Sequence, residues 1–414
     1  MEDLIKYIIN LINLDLPWLT DGVVRLISHF IFAAIIAVAA PSTLIVSTWL
    51  LRKIIGRIQK RIGPNRAGPF GWFQAIADMI KMFTKEDITP TGADRLAFNI
   101  APALAVISSV MVFAVIPFAP GFVGVDLNVG VLYIVAIGGL GTLGALMAGW
   151  ASNNKYSLLG AFRAVAVMLT YEIPMVMALV MVTLVAGSMS MVRVVEAQSS
   201  MWYAISMPLA FFIFFIAGIA EVGSSPIDML EAESELIAGF HTEYSGMKFG
   251  MFMIGEYVHL VAFSFFSAVL FLGGWQFPIF DLDALPAPFG PLIGFITLLV
   301  KVFLVLFVTM WMRGTLPRFR IDHLIDYGWK FLVPVSLLLL IGVAVVVKLF
   351  APADSPVPGP LNNLGVVGEI VALLLVNLVV VGLTMMIAST AARHSRSKGL
   401  RAITAVEPII TTSK

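Results

Sequence analysis

The chain has 414 residues, of which 59% are hydrophobic and only 12% charged, and its formal net charge is +1. A soluble protein of this size needs far more charged surface, so the composition excludes a soluble globular fold. The sequence contains no cysteine, which excludes disulfides, thiolate-ligated iron–sulfur clusters and C-type haem attachment. The histidines show no zinc-site spacing, so we predict no metal, haem or iron–sulfur centre in this chain.

Residues 1–25 combine apolar side chains at helical spacing with several acids, which indicates an amphipathic helix on the membrane surface rather than a cleaved signal. The alternative is a merely tolerated terminal helix.

Apolar segments long enough to span a membrane follow at 26–51, 98–119, 129–150, 156–187, 202–220, 247–273, 290–312, 331–350 and 364–390. The sequence therefore predicts an all-α, polytopic integral membrane protein of about nine transmembrane helices. Residues 26–350 would form an eight-helix core, and 351–414 a proline-rich linker, an extra ninth helix and a basic tail.

Lysine and arginine gather in alternate loops between these segments. They follow the first, third, seventh and ninth spans, whereas the intervening loops hold little beyond Arg193. Basic loops face the cytoplasm, so we predict the N-terminus outside and the C-terminus on the cytoplasmic side. We see no internal repeat, which disfavours an inverted-repeat transporter.

Several ionisable residues lie inside apolar segments, where an unpaired charge is costly. Glu172 lies midway along the fourth segment, Glu256 and His259 share one face of the sixth at spacing i, i+3, and Lys301 lies near the middle of the seventh. Arg163, nine residues before Glu172, lies on nearly the opposite helix face. Each group could belong to a buried ion pair that fixes helix register. Together they favour a polar path that exchanges protons.

The segment 220–246 is acidic although it lies on the predicted cytoplasmic side. Its acids are Glu221, Asp228, Glu231, Glu233, Glu235 and Glu243. Pro226 prevents one unbroken helix, while Asp228 and Glu231 fit a capping box. A solvated, capped helix explains those two residues. Acids crowded this closely would instead titrate as a coupled set.

Four stretches resemble one known family. They are 61–71 (RIGPNRAGPFG); 155–163 (KYSLLGAFR) with 171–174 (YEIP); 231–236 (EAESEL) with 242–246 (TEYSG); and 311–320 (WMRGTLPRFR). Over about residues 26–350 the sequence is similar to the membrane-embedded H subunit, or chain 1, of NADH–quinone oxidoreductase, respiratory complex I. The resemblance implies a membrane protein that forms the quinone-access chamber of the complex and begins a proton path.

The same resemblance assigns roles to individual residues. The residues of the quinone chamber would be Arg61, Gly63, Pro64, Asn65, Asp78 and Lys81. The residues of the proton path would be Glu172, Glu221, Asp228, Glu231, Glu233, Glu235 and Glu256. Polar groups near these two sites would be Arg163, Tyr171, Glu243, His259, Lys301, Arg313, Arg318 and Arg320. Quinone would be a substrate shared with partner subunits. These partners are hydrophilic-arm subunits carrying the terminal iron–sulfur cluster, and antiporter-like and small membrane-arm subunits. The implied location is a bacterial inner membrane, or an organelle membrane.

The sequence departs from the family pattern at Ser224, where an arginine is usual, and in its ninth helix. Losing that arginine should leave the nearby acids less neutralised. Three alternatives stay open. They are the homologous subunit of a membrane-bound hydrogenase or of a ferredoxin- or deazaflavin-dependent dehydrogenase, a stand-alone ion transporter, and a passive scaffold.

Overall fold

A computed structural model describes residues 21–228, 238–278, 289–350, 359–361 and 365–386. In chain order its helices are α1 (Asp21–Ile58), α2 (Gln74–Thr84), α3 (Arg95–Met111), α4 (Gly130–Ala151), α5 (Lys155–Ala186), α6 (Met191–Ala197), α7 (Tyr203–Ser206), α8 (Pro208–Val222), α9 (Gly246–Phe271), α10 (Phe289–Thr315), α11 (Ile321–Tyr327), α12 (Val333–Leu349) and α13 (Gly365–Met386). A small antiparallel hairpin, β1 (Pro117–Ala119) and β2 (Phe122–Val123), lies between α3 and α4. The predicted all-α polytopic fold is confirmed.

Eight helical segments in the described ranges are long and apolar enough to cross a membrane. They correspond to the predicted spans except the fifth, 202–220, which is broken into α7 and α8. Pro208 has no N–H and cannot continue the preceding helix, so a new helix begins there. At 15 residues, α8 is shorter than a full membrane crossing requires. Short 3-10 turns at Pro69–Gly71, Val112–Ala114 and Gly239–His241 and a π-helical turn at Gly328–Leu332 complete the helical elements of the described ranges.

Loops that the sequence predicts on one side of the membrane meet at one end of the helix bundle. At this end Lys248 Nζ lies 2.9 Å from Asp87 Oδ2, Asn154 Nδ2 donates to Glu243 Oε1 at 2.6 Å, and Phe319 N donates to Pro226 O at 3.2 Å. At the other end Ser190 Oγ donates to Asp126 Oδ1 at 2.7 Å and Gln198 Nε2 to Val269 O at 3.1 Å. The alternation of the loops is confirmed. Which end faces the cytoplasm stays a prediction.

Helix α9 is the most enclosed of the long helices. Within its most apolar stretch 78% of the residues are buried inside the protein, against 17% for α13. It packs against α1, α2, α3, α8 and α10. Polar groups on α9 therefore face other helices rather than lipid, which makes this helix the place where a buried polar site can form.

Parts of the prediction concern residues outside the described ranges. These are the amphipathic segment before residue 21, most of the linker after residue 350, and the basic tail after residue 386. For these segments the sequence analysis stays a prediction.

Candidate functional site

A cavity of about 90 Å³ lies between α3, α4, α5, α8 and α9, beside the turn Gly239–His241. Two carboxylates and two imidazoles line it, from Glu221, Glu256, His241 and His259. Glu256 and His259 reach the same cavity because residues three apart share one helix face. Two acids and two histidines around one cavity form a cluster able to accept and release protons.

The path continues on the far side of this cluster. A second cavity, of about 30 Å³, is bordered by Glu221 and His259 as well, so these two side chains stand between the cavities. On α5, Met168 lines the first cavity and Met175 the second. Glu172 lies between these methionines at helical spacing, close enough to Glu221 for their charges to interact. The structure therefore brings Glu172, Glu221 and His259 into one neighbourhood.

Glycine makes room for the Glu221 carboxylate. Gly138 lies on α4 in the wall of both cavities, and a Cβ atom added to it would lie 2.9 Å from Glu221 Oε1. The next residue, Gly139, has no atom within 4 Å of its corresponding position. Gly138 is thus a position where any side chain would crowd the acid, and Gly139 is a natural control for it.

Glu256 connects the cavity to the basic end of α10. Its Oε1 lies 3.1 Å from Arg313 Nη1, and the two side chains are only 14% and 16% exposed. Removing one partner of such an enclosed pair leaves an uncompensated charge. The resemblance named Arg313 only as a neighbouring polar group; the structure gives it a direct contact with the acid cluster.

His241 is a member of the cluster that the sequence analysis did not single out. It is buried, and its Nδ1 has no hydrogen-bond partner among the residues that the structure describes. Burial lowers the pKa of His241 to about 4, so the imidazole is neutral at neutral pH. A lone histidine in an aromatic turn gives no sequence signal of this kind. Only its closeness to the acidic segment could have suggested it.

We expect His241 to make the folded protein less stable in acid. In the unfolded chain its pKa is near 6.5, so below that pH the unfolded state binds a proton that the folded state excludes until about pH 4. Stability should fall by about 2 kcal/mol between pH 7 and pH 5 from this group alone. The melting temperature of the solubilised complex should thus drop less with acid in a His241→Gln variant than in the wild type. The control is His29→Gln, at an exposed position, which should leave the acid dependence of the melting temperature as in the wild type. Equal acid dependence in the His241→Gln and His29→Gln variants would contradict a lowered pKa of His241.

A larger groove of about 210 Å³ lies between α1, α2 and α9. Apolar side chains line most of it, but Arg52, Asp78 and Lys81 line it as well. Asp78 organises these charges, because its Oδ2 lies 2.7 Å from Arg52 Nη1 and its Oδ1 lies 3.8 Å from Lys81 Nζ. Met253 lines both this groove and the 90 Å³ cavity, so the two spaces adjoin at this residue.

The other residues predicted for the quinone chamber lie beside this groove and do not line it. Gly63 packs on the end of α1, where an added Cβ would lie 3.0 Å from Arg52 O, and Arg61 Nε donates to Gln59 Oε1 at 2.7 Å. Gly71 has φ +79°, and an added Cβ there would meet the backbone of Pro64 and Asn65. The segment therefore folds as a tight loop that holds α1 and α2 together.

Lys301 lies away from the acid cluster. Its ammonium group donates to three backbone oxygens that follow the end of α9, those of Leu272 at 2.6 Å, Gly274 at 2.8 Å and Gln276 at 2.6 Å. The Nζ atom also lies 4.8 Å from the ring centre of Trp202. These contacts satisfy all three donors and the carbonyls of the turn that follows α9. Along α10, Lys301 is roughly 18 Å from Arg313.

A third cavity, of about 470 Å³ and mostly apolar, lies between α5, α8, α10 and α11. Tyr171 borders it and is itself buried, with its hydroxyl donating to Leu324 O at 3.2 Å. Tyr171 therefore faces away from the acid cluster, although its neighbour Glu172 faces toward it.

The remaining predicted residues lie at the same end of the bundle as the basic loops. Glu243 accepts the hydrogen bond from Asn154, Arg163 lies on α5, and Arg318 and Arg320 lie between α10 and α11, with Arg320 exposed. Asp228 is the last described residue before the gap. Glu231, Glu233 and Glu235 lie outside the described residues.

Comparison with known proteins assigns the chain to a family. A family model described as NADH dehydrogenase matches residues 30–344. Proteins named as the H subunit of NADH-quinone oxidoreductase are similar: that of Dehalococcoides mccartyi is 50% identical over 289 residues, covering 70% of this chain and 78% of the relative. The protein of Geobacillus kaustophilus is 47% identical (71% and 86% covered), and that of Vesicomyosocius okutanii 41% identical (82% and 96% covered). The chain therefore belongs to the NADH dehydrogenase family, as a multi-pass membrane protein of the H-subunit type.

Proposed function

We propose that this chain is the membrane subunit of a proton-translocating NADH–quinone oxidoreductase in a bacterial inner membrane. In this role it forms the quinone-access chamber and the acidic start of the proton path where the hydrophilic arm joins the membrane arm. The observation that carries the proposal is the shared wall at Met253. The apolar groove and the acidic cavity adjoin at this residue. The names of the bacterial relatives support quinone as the substrate.

The groove between α1, α2 and α9 suits a quinone that enters from the lipid. Its apolar lining would hold the isoprenoid tail, and the pair Arg52–Asp78 provides polar groups near its rim. Ligand sites commonly combine an apolar wall with a few placed polar groups. Electrons would come from the terminal iron–sulfur cluster of a partner subunit, because this chain has no cysteine to hold one.

The cavity beyond Met253 would respond to quinone reduction by taking up and releasing protons. A reduced quinone takes up protons and changes the local charge, and enclosed acids near it change protonation in response. The charge on the quinone would change the protonation of Glu256, which is in contact with Arg313. A proton released there would pass to Glu221 and then to Glu172. Groups this close titrate as a coupled set. Asp228, Glu231, Glu233 and Glu235 would join the cluster from the loop after α8.

Ser224 is a departure from the family pattern that bears on how this cluster would exchange protons. It is buried two residues after the end of α8, where the family usually has arginine. Without a cation at this position, fewer charges neutralise Glu221, and its proton occupancy depends more on the quinone and on Glu172.

We expect Asp78→Asn to weaken quinone binding in the assembled complex. The change removes the acid that orients Arg52 and attracts Lys81, so the polar rim of the groove loses its order. Because the pair is partly exposed, KM for quinone should rise by up to about fivefold, with a smaller change in kcat. The measurement is steady-state quinone reductase activity of membranes at varied quinone concentration.

The matched control is Asp326→Asn. It breaks a comparable surface pair, Asp326 Oδ2 to Lys330 Nζ at 2.6 Å, away from the groove. This control should leave KM unchanged. An equal effect of both substitutions, or no effect of Asp78→Asn, would place the quinone elsewhere.

The alternative complexes differ in which proteins accompany this chain. A tagged chain purified from native membranes should bring with it subunits that hold iron–sulfur clusters and an NADH site. Recovery with a hydrogenase, or with a deazaflavin- or ferredoxin-binding protein, would support the alternative enzymes. Recovery of the chain alone would support an ion transporter.

A further inference from the structure

Helix α8 begins directly after the buried Met207 and has no cap of its own. Its first residue, Pro208, has no N–H, and the preceding residue, Met207, makes no side-chain hydrogen bond to the helix. The first N–H groups of a helix have no partner within the helix. In an apolar layer without water, such a group needs an acceptor from elsewhere in the protein.

Asn377 of α13 provides that acceptor. Leu209 N donates to Asn377 Oδ1 at 3.1 Å, and Asn377 Nδ2 donates to Leu373 O at 2.8 Å. The Asn377 side chain is almost wholly enclosed, at 2% exposure. Asparagine is among the best residues at a helix N-terminus, and here it acts from another helix, 168 residues along the chain.

The packing of α13 holds Asn377 in place. Leu373, Val376, Asn377 and Val380 share one helix face, and Leu373 and Val380 are buried in the core shared with α8 and α12. Gly342 of α12 permits close approach, because a Cβ atom added to it would lie 2.5 Å from Val376 Cγ1. Helix α13 is therefore packed into the bundle along this face.

We propose that α13 is a positioning helix for the acid cluster. It lies beyond the segment that matches the family, which ends at residue 344. Asn377 fixes the first turn of α8, and α8 carries Glu221 in its last turn, roughly 18 Å further along. Since α8 is short and begins at a break, the cap at one end sets where the carboxylate stands at the other. The role of Glu221 in this inference rests on the proposed function; the capping itself does not.

A disulfide tests the packing of α13 without reference to activity. The distance from an added Gly342 Cβ to Val376 Cβ is 3.8 Å, which matches a disulfide, and the chain has no native cysteine to interfere. The pair Gly342→Cys with Val376→Cys should therefore cross-link on mild oxidation of native membranes. The control pair Gly342→Cys with Leu378→Cys, whose side chain is 67% exposed, should not. Equal yields for the two pairs would overturn the packing.

Substitution of Asn377 tests the positioning role in the assembled complex. Asn377→Leu removes the acceptor, whereas Asn377→Asp keeps an oxygen for Leu209 N–H. Protons moved per quinone reduced should fall in the leucine variant, because the uncapped first turn no longer fixes the position of α8, and should recover with aspartate. A lower amount of complex with an unchanged ratio would overturn the positioning role.

A failure of the proposed function would give a different result in these experiments. In that case Glu221→Gln itself would leave the ratio of protons to quinone unchanged. The disulfide would still report whether α13 packs as described.

Discussion

Glu221→Gln should reduce proton translocation by about tenfold or more in the assembled complex, with a smaller loss of quinone reduction. Glutamine has nearly the same shape and hydrogen-bonding capacity, so the packing around α8 is retained. What it lacks is an ionisable carboxyl group at the position that borders both cavities. The measurement is proton uptake in reconstituted vesicles alongside quinone reduction.

Two comparisons make this result specific to the cavity. Glu196→Gln removes an acid from the exposed face of α6 and should have no effect on the ratio of protons to quinone. Gly138→Ala should lower proton translocation by displacing the Glu221 carboxylate, and Gly139→Ala, which meets nothing within 4 Å, should not. Normal translocation in both Glu221→Gln and Gly138→Ala would remove Glu221 from the path.

Lys301→Met should have the largest effect on stability. The change removes a donor to three backbone oxygens at the end of α9 and leaves them without partners in an apolar region. We expect a loss of about 3 kcal/mol or more, because each unsatisfied buried acceptor carries its own penalty. The amount of assembled complex in membranes and its melting temperature after solubilisation should both fall markedly.

The same substitution at an exposed site is the control. Lys348 lies in the last turn of α12 and is exposed, and Lys348→Met should leave assembly unchanged. If Lys301→Met assembled normally but stopped proton translocation, Lys301 would belong to the proton path, as its position within an apolar segment first indicated.

The membrane spans were predictable because each is a continuous apolar run, a signal that needs no knowledge of neighbouring helices. The break in the fifth span at Met207 could not be predicted in this way. Both sides of it are apolar, and a single proline can begin a helix as readily as kink one. The sequence showed the ninth span, but it could not show that Asn377 caps a helix 168 residues earlier in the chain.

Part of the candidate site was also predictable, because helical spacing can be read from the sequence without knowledge of neighbouring helices. Glu256 and His259 share a face by spacing alone, and the sequence therefore predicted that they lie together. Lys301 is also an ionisable residue in an apolar segment, but its partners are backbone carbonyls 25 to 29 residues away. Because every residue has a carbonyl group, the sequence does not indicate which ones Lys301 binds. His241 was missed because burial, which sets its charge, depends on the packing of distant helices.

The proposed function requires that the carboxylates lining the acidic cavity gain and lose protons when quinone is reduced. Its most direct test is the infrared difference spectrum of the assembled complex between its oxidised and quinone-reduced states, recorded for the wild type, Glu221→Gln and Glu256→Gln. We expect carboxyl bands that change on reduction in the wild type and lose intensity in each variant. Identical carboxyl bands in all three samples would contradict the claim.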